Sequence, residues 1–254
     1  MVRAVLLATT VMMTAIAAPA WAGSPAASPM PGLSADLSLG GGAIWDSGSY
    51  SINTFLANAR AALPLGGAFH VETEFRDNVE FQGGENINFI SGYAHVYAQN
   101  QAYAFGIFGG HSALPSTYNL WSGGLEGQAF VGRLTIDAGV AFQNVDYMAV
   151  HGWSARLGGR YYLTPNTRIA LTGLYYSFPG GSITGAEGSL EHRFANMPLS
   201  VFAKASWGTE DGYNLYSALG GIRISFDNPA ATLQGHDKAV PWDSEQSLDT
   251  LAID

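Results

Sequence analysis

The residues able to do chemistry in this chain are charged side chains spaced two apart along short alternating stretches. Asp36, Glu72, Glu74, Glu126, Asp137, Glu187 and Glu191 share one phase with Arg60, Arg76, Arg156, Arg160, Arg193, Lys204 and Arg223, seven of each sign. Lining a wet passage, such a balanced set orients and selects small polar solutes; packed together, it ties facing walls to one another. Histidine offers two other chemistries. His70, Glu72 and Glu74 stand at i, i+2 and i+4, and His95 from a neighbouring strand could join them around Zn²⁺. An ion-pair cluster with Arg60 is the favoured reading, because an open wet site lacks the buried outer shell that fixes metal ligands. No metal or other cofactor is therefore expected. A hydrolase would need a base within reach of a nucleophile, and His111 with Ser112 or His151 with Ser154 are the nearest pairs. Adjacent residues, and residues three apart, face opposite sides of a strand, so neither pair meets within its own segment.

These side chains need strands to position them, and the period of the sequence is two. Segments of alternating character run over about 35–46, 51–62, 68–78, 87–98, 102–112, 118–130, 133–145, 150–163, 167–178, 182–194, 198–208 and 213–226. The clearest hairpin sets Leu125, Gly127, Ala129 and Val131 against Leu134, Ile136, Ala138, Val140 and Phe142, with Gly132 at the turn. Pro64-Leu65-Gly66-Gly67, Thr164-Pro165-Asn166, Pro179-Gly180-Gly181 and Asn196-Met197-Pro198 punctuate others. Successive hairpins predict an all-β, up-and-down antiparallel barrel of 12 strands, with 10 or 14 as the next choices.

Composition decides what surrounds that barrel. Charged residues make up 12% of the chain, about half of what soluble domains carry, so a second face solvated by Lys, Glu and Asp is not available. This favours a transmembrane barrel over a soluble sandwich or barrel. Arg3, the apolar run 4–18 and Ala20-Trp21-Ala22 form a secretory signal peptide over 1–22. The Pro-rich residues 23–34 read as a flexible leader, 35–226 as the barrel and 227–254 as an acidic tail. Cysteine is absent, and a net charge of −9 offers no basic footprint for nucleic acid.

With the amino terminus in the periplasm, Trp45, Trp121, Trp153 and Trp207 all fall in the apolar phase at the extracellular end, where Tyr175 joins them as a membrane girdle. Carboxylates, among them Asp46, Asp77, Glu80, Glu85, Asp146, Glu210 and Asp211, crowd that end, whereas Arg60, Arg133, Arg160, Arg168, Arg193 and Arg223 crowd the other. The last segment, Tyr213 to Phe226, alternates and ends on an aromatic residue. Through Gly221, Ile224 and Phe226 it resembles the final strand of Gram-negative outer-membrane β-barrel proteins, with Leu219 departing from the polar residue common there. Most of the mature chain is similar to a group of outer-membrane barrel proteins with short loops and a short acidic tail. That resemblance implies an integral place in the bacterial outer membrane, membrane lipids and the barrel-assembly machinery as partners, and Gly221, Ile224 and Phe226 as the assembly signal.

A narrow porin-like channel for small polar solutes is the leading functional expectation. A non-conducting structural or surface-contact barrel comes second and a lipid-modifying enzyme third, so the protein is expected not to be an enzyme. The tail, with six carboxylate residues and one Lys, is expected to be a disordered periplasmic segment. The sharper alternative folds it over the periplasmic mouth, with Asp243 and Glu245 near the arginines and Trp242 as an apolar anchor. Intact mass of the exported protein should correspond to a chain beginning at Gly23; retention of residues 1–22 would refute the signal peptide.

Overall fold

Alternation at this period leaves each strand with one apolar and one polar face, and a sheet that meets lipid with its apolar face must close so that no edge keeps unpaired N–H and C=O groups. The computed structural model shows that closure. It describes residues 32–48, 51–82, 85–113, 119–146, 150–210, 212–227 and 231–242. The expected signal peptide, most of the expected leader, Asp211, Asp243 and Glu245 lie outside them.

Twelve antiparallel strands make one ring, each paired with its sequence neighbours, and the first pairs with the last. They are β1 (Ser34–Asp46), β2 (Ser51–Gly66), β3 (Phe69–Gln82), β4 (Glu85–Gln99), β5 (Tyr103–Ala113), β6 (Asn119–Val131), β7 (Leu134–Val145), β8 (Val150–Thr164), β9 (Thr167–Phe178), β10 (Gly181–Arg193), β11 (Leu199–Glu210) and β12 (Tyr213–Ser225). A short helix, α1 (Leu233–Ala239), follows. Strand lengths of 11 to 16 residues meet or exceed the roughly 9–11 that a tilted bilayer crossing takes. At the closing seam Asp36 sits opposite Ser225, Gly40 opposite Gly221 and Trp45 opposite Tyr216.

The apolar phase faces outward. Leu125, Ile136, Val140, Phe142, Leu157 and Leu171 are all exposed, so the apolar residues of β6 and β7 form an outer band and not a dry core. One turn moved: β2 continues through Pro64 to Gly66 with a register shift between them, and the reversal falls at Gly67-Ala68. Pro64 lacks a ladder donor, and Gly66 and Gly67 take positive φ, which places the irregularity where only these residues fit. β12 stops at Ser225, and Phe226 lies just beyond it, its N–H donating to the Ala35 carbonyl at 2.7 Å.

Gly221 sits at one of the tight points of the seam. A Cβ there would stand 2.2 Å from the Leu39 carbonyl and 2.6 Å from the Phe202 ring, so backbone would have to move. The Phe202 ring covers this glycine and Gly40, filling the lumen face that two missing side chains leave open. Gly221→Val should therefore lower the melting temperature of the purified barrel refolded in detergent, an overpacking cost of about 1–3 kcal/mol. A variant that refolds like wild type in detergent but fails to assemble in cells would leave Gly221 with the assembly role alone.

Candidate functional site

The lumen is built from the polar phase, and two-residue spacing carries its members up each wall. On β2 and β3 the inward ladder pairs Thr54 with Glu80, Leu56 with Asn78, Asn58 with Arg76, Arg60 with Glu74 and Ala62 with Glu72. Thr54 donates to Asn78 Oδ1 at 2.6 Å, and Asn58 Nδ2 donates to Glu74 Oε1 at 3.0 Å. Glu126 on β6 receives His95 Nδ1 at 2.6 Å and Arg156 at 3.1 Å. Glu191 on β10 pairs with Arg168 at 2.9 Å and Arg223 at 3.1 Å. Asp137, Arg160, Glu187 and Arg193 are buried in the same inward phase, and Lys204 lies 5.6 Å from the Phe202 ring centroid.

Residues 231–242 enter this lumen at the end where both termini of the barrel lie. Thr232 caps α1 by accepting from Gly235 N, while Leu233 N and Gln234 N anchor to Asn166 and Pro165 in the β8–β9 turn. His236 is fully buried between two carboxylates, Nδ1 at 2.7 Å from Asp227 and Nε2 at 2.9 Å from Asp36, which Arg60 also grips at 2.6 Å. Asp237 accepts from Tyr162 Oη and Arg168, each at 2.7 Å. Carbonyls then take over: Lys238 O accepts from Gln99, Pro241 O from Gln128 and Arg160, and Trp242 O from Arg60. The Trp242 indole lies parallel to His95, with centroids 6.3 Å apart, and edge-on to Tyr97 at 5.6 Å. Burial of Leu233, Val240 and Trp242, at about 1.5–3 kcal/mol each, is together smaller than the cost of ordering the whole of residues 231–242 at roughly 1–2 kcal/mol per residue. Polar contacts therefore decide whether the tail stays docked.

The expectation of a disordered tail fails over residues 231–242. Composition argues for disorder only while the segment has no surface to bury against, and the barrel mouth is that surface. The fold-back alternative has Trp242 in the role expected of it, but the carboxylates that meet the basic ring are Asp227 and Asp237; Asp243 and Glu245 lie outside the described residues. Arg168, expected at the basic rim, reaches inside to Asp237 and Glu191. Asp227, His236, Asp237, Gln128 and Tyr162 were not singled out from sequence. Thr232 ahead of Leu233, with Val240 and Trp242 in an otherwise polar stretch, was the available signal.

The histidines separate. His70 stacks on Tyr97 at 5.2 Å while His95 faces Glu126, and no metal-holding group of His, Asp and Glu occurs among the described residues. His111 turns outward onto Trp121, with ring centroids 4.5 Å apart, whereas Ser112 turns inward to Tyr93 Oη at 3.2 Å. His151 lies against Phe142 on the outer surface and Ser154 is buried on the inner one. At the loop end the outward aromatics pair: Trp45 stacks with Tyr216 at 6.1 Å and Trp153 leans on Tyr175 at 5.1 Å. Trp121 and Trp207 donate their indole N–H groups to Asp146 and Asn214 at 3.1 Å, apolar bodies with polar tips as an interface belt uses them.

Above the tail the lumen keeps open space. One cavity of about 870 Å³, counting its part open to solvent, runs from Ser38 and Arg223 toward Ile44, Thr54 and Ser112. A second, of about 500 Å³, lies beside Arg156, Arg160 and Arg168, facing Asp137 and Glu187.

No family model and no curated protein matches the sequence. Solved structures do. An outer membrane channel from Pseudomonas putida superposes with a TM-score of 0.58 at 10% identity, covering 76% of this chain and 95% of its own. The NanC porin gives 0.55 at 9% identity, covering 73% and 98%. The KdgM porin, solved in complex with disordered oligogalacturonate, gives 0.53 at 12% identity, covering 75% and 99%. At such identities the likeness is one of fold, and the fold is that of Gram-negative outer-membrane β-barrels.

Docking of the tail should respond to pH on both sides. Burial works against a charged His236, but hydrogen bonds and attraction from Asp227 and Asp36 outweigh it and raise its pKa above 6.5. Burial likewise opposes charge on Asp227 and Asp237, yet His236 with Arg193 holds the first below 3.8, and Arg168, Arg160 and Arg223 hold the second below it. A raised His pKa stabilises docking fully below its undocked value, and the contribution is lost as pH climbs through the docked value. Lowered Asp values stabilise docking above about 4, and that contribution is lost as pH falls through the docked values. Trypsin cleavage after Lys238 in the full-length barrel should therefore speed up as pH rises through 7 to 9, after correction on a free tail peptide. His236→Gln should cleave fast throughout, and a flat corrected rate in wild type would refute the linkage.

Proposed function

We propose that this barrel of outer-membrane type is a narrow porin-like channel for small polar solutes, held shut at its terminal end by its own residues 231–242. The observation that carries the reading is how the tail is held. It is a single short helix and an extended end, tied by ion pairs and by carbonyls that accept from Arg60, Gln128 and Arg160. These contacts can be exchanged for water, whereas a permanent core would be sealed by apolar packing. Above the tail, side chains of both signs line open space, and the outward aromatics at the loop end support a reading in which that end meets the extracellular headgroups. An even number of strands returns both barrel ends to one side, which in this reading is the periplasm, together with the tail. The oligogalacturonate held by the KdgM porin supports a polar solute as cargo. No catalytic role is proposed.

The second reading, a filled structural barrel, draws on the mutual neutralisation of lumen charges, as at Glu126 between His95 and Arg156. Planar-bilayer recording separates the two. Truncation after Phe226 should leave a folded, heat-modifiable barrel whose conductance is severalfold larger and steadier than that of the full chain. Silence from both proteins would favour the structural barrel, and identical currents would show that the tail is no plug.

A further inference from the structure

Most inward charges of this barrel meet an opposite charge, but two carboxylates do not. Asp137 on β7 and Glu187 on β10 have neither an ion pair nor a hydrogen bond among the described residues. They are only 9% and 8% exposed, and a carboxylate so held is costly until a counter-charge completes it. Both line the cavity of about 500 Å³ beside the docked tail, and Glu187 also borders the larger one.

The ladder shows what stands between them. Gln128 lies opposite Asp137, Asp137 opposite Gly158, Gly158 opposite Thr172 and Thr172 opposite Glu187, one row across β6 to β10. Gly158 leaves a gap in that row, and its neighbours lean into the gap: a Cβ there would stand 2.8 Å from Asp137 Oδ2 and 2.9 Å from Thr172 Oγ1. Gln128 is buried and gives its Nε2 to Pro241 O, so its amide is oriented and Oε1 is left as an acceptor without a partner. A buried amide oxygen in that state marks a place where a donor belongs. The arginines lining the same cavity are engaged elsewhere. Arg156 donates to Glu126 at 3.1 Å, Arg168 pairs with Glu191 at 2.9 Å and Asp237 at 2.7 Å, and Arg160 donates to Pro241 O at 3.0 Å with its charge acting on Asp237.

Two unanswered carboxylates, an oriented amide oxygen and a hydroxyl around one gap describe a site for positive charge. A single metal ion does not fit it. The Asp137 carboxylate leans over Gly158, two strand spacings or about 10 Å along the wall from Glu187, whereas the ligands of one hard cation stand about 2.0–2.6 Å from it. No metal-holding group of His, Asp and Glu occurs among the described residues. We propose that the row from Gln128 to Glu187 binds a short aliphatic diamine in its diammonium form, one ammonium held by Asp137, Gln128 Oε1 and Thr172 Oγ1 and the other by Glu187. An ammonium has three donors, and the first position offers it three acceptors. An anion meets like charge here, and a monoamine leaves one carboxylate unanswered. The proposal deepens the channel reading, on which it rests for a solute's path to the site, by naming a solute class. Binding itself needs no conduction.

The test is equilibrium dialysis of radiolabelled putrescine against the full-length protein in nonionic detergent at low salt, read beside empty micelles. Saturable binding is expected, weakened roughly fivefold or more in Asp137→Asn and in Glu187→Gln, each of which removes a charge-assisted contact. Gly158→Ala keeps every charge and should weaken binding as well, because its methyl group displaces the Asp137 carboxylate. Asp146→Asn removes an exposed carboxylate at the far rim and should leave affinity within about twofold. Each variant is checked for heat-modifiable migration, so the failure of one to fold leaves the others to decide. Cadaverine should displace the probe, whereas n-butylamine, glucuronate and Mg²⁺ at equal ionic strength should not. Absence of saturable binding beyond that of empty micelles overturns the proposal, as does unchanged affinity in both folded carboxylate variants or equal weakening by Asp146→Asn. Unchanged affinity in Gly158→Ala overturns the placement of the first ammonium, and displacement by n-butylamine or Mg²⁺ as effective as by cadaverine overturns the diamine. Bilayer recordings on the same preparation keep the two readings apart: conductance without probe binding sinks this inference alone, and binding without conductance sinks the channel alone.

Discussion

Closure of the ladder between β1 and β12 is the constraint from which the rest of the structure follows. In hydrocarbon every backbone N–H and C=O must find a partner within the chain, and the seam from Asp36–Ser225 to Asp46–Leu215 supplies the last set. The seam is tight because Gly40, Gly42 and Gly221 allow the two strands and the Phe202 ring to approach closely. Closing with an even number of strands also brings the start of β1 and the end of β12 to the same mouth. The tail therefore begins beside Asp36, Arg193 and Arg223, the groups that its own charged residues engage.

A closed barrel turns its polar phase into an interior, and the interior must satisfy itself or hold water. Much of it does so wall to wall, as in the Glu126 and Glu191 clusters. At the terminal mouth the wall has more arginine than it can neutralise. There the tail contributes two carboxylates, Asp227 and Asp237, and also main-chain carbonyls, which accept from Arg60, Arg160 and Gln128 without adding charge. His236 closes the set by donating from both ring nitrogens to carboxylates, an arrangement suited to the imidazolium. The docked tail thus completes a polar core from outside the barrel, and the groups that hold it, His236, Asp227 and Asp237 among them, are titratable.

The barrel was largely legible in the sequence because strand periodicity is local. Every strand boundary fell within a few residues of its expected place, and the longest departures, at the ends of β2 and β3, come where ladder pairing runs past Pro64 and Asn78 into the connections. Inward and outward phases followed from alternation alone, since a one-residue slip would exchange the lipid face for the lumen face along the whole strand. Trp45, Trp121, Trp153 and Trp207 were found at one end by the same logic.

What only the tertiary structure decided is the company each inward residue keeps. Alternation says that His70, Glu72 and His95 face the lumen, but ring direction and height send His70 to Tyr97 and His95 to Glu126 and Trp242. It says nothing of Leu233, His236 and Asp237, whose short stretch is too brief to hold a helix alone and too polar to announce a core. Their structure is imposed by a surface assembled from strands up to 200 residues away, as in the contact of His236 with Asp36. Sequence determined the wall because its rule repeats every two residues; the contents of the lumen depend on side chains meeting across the ring, and no local pattern encodes those distances.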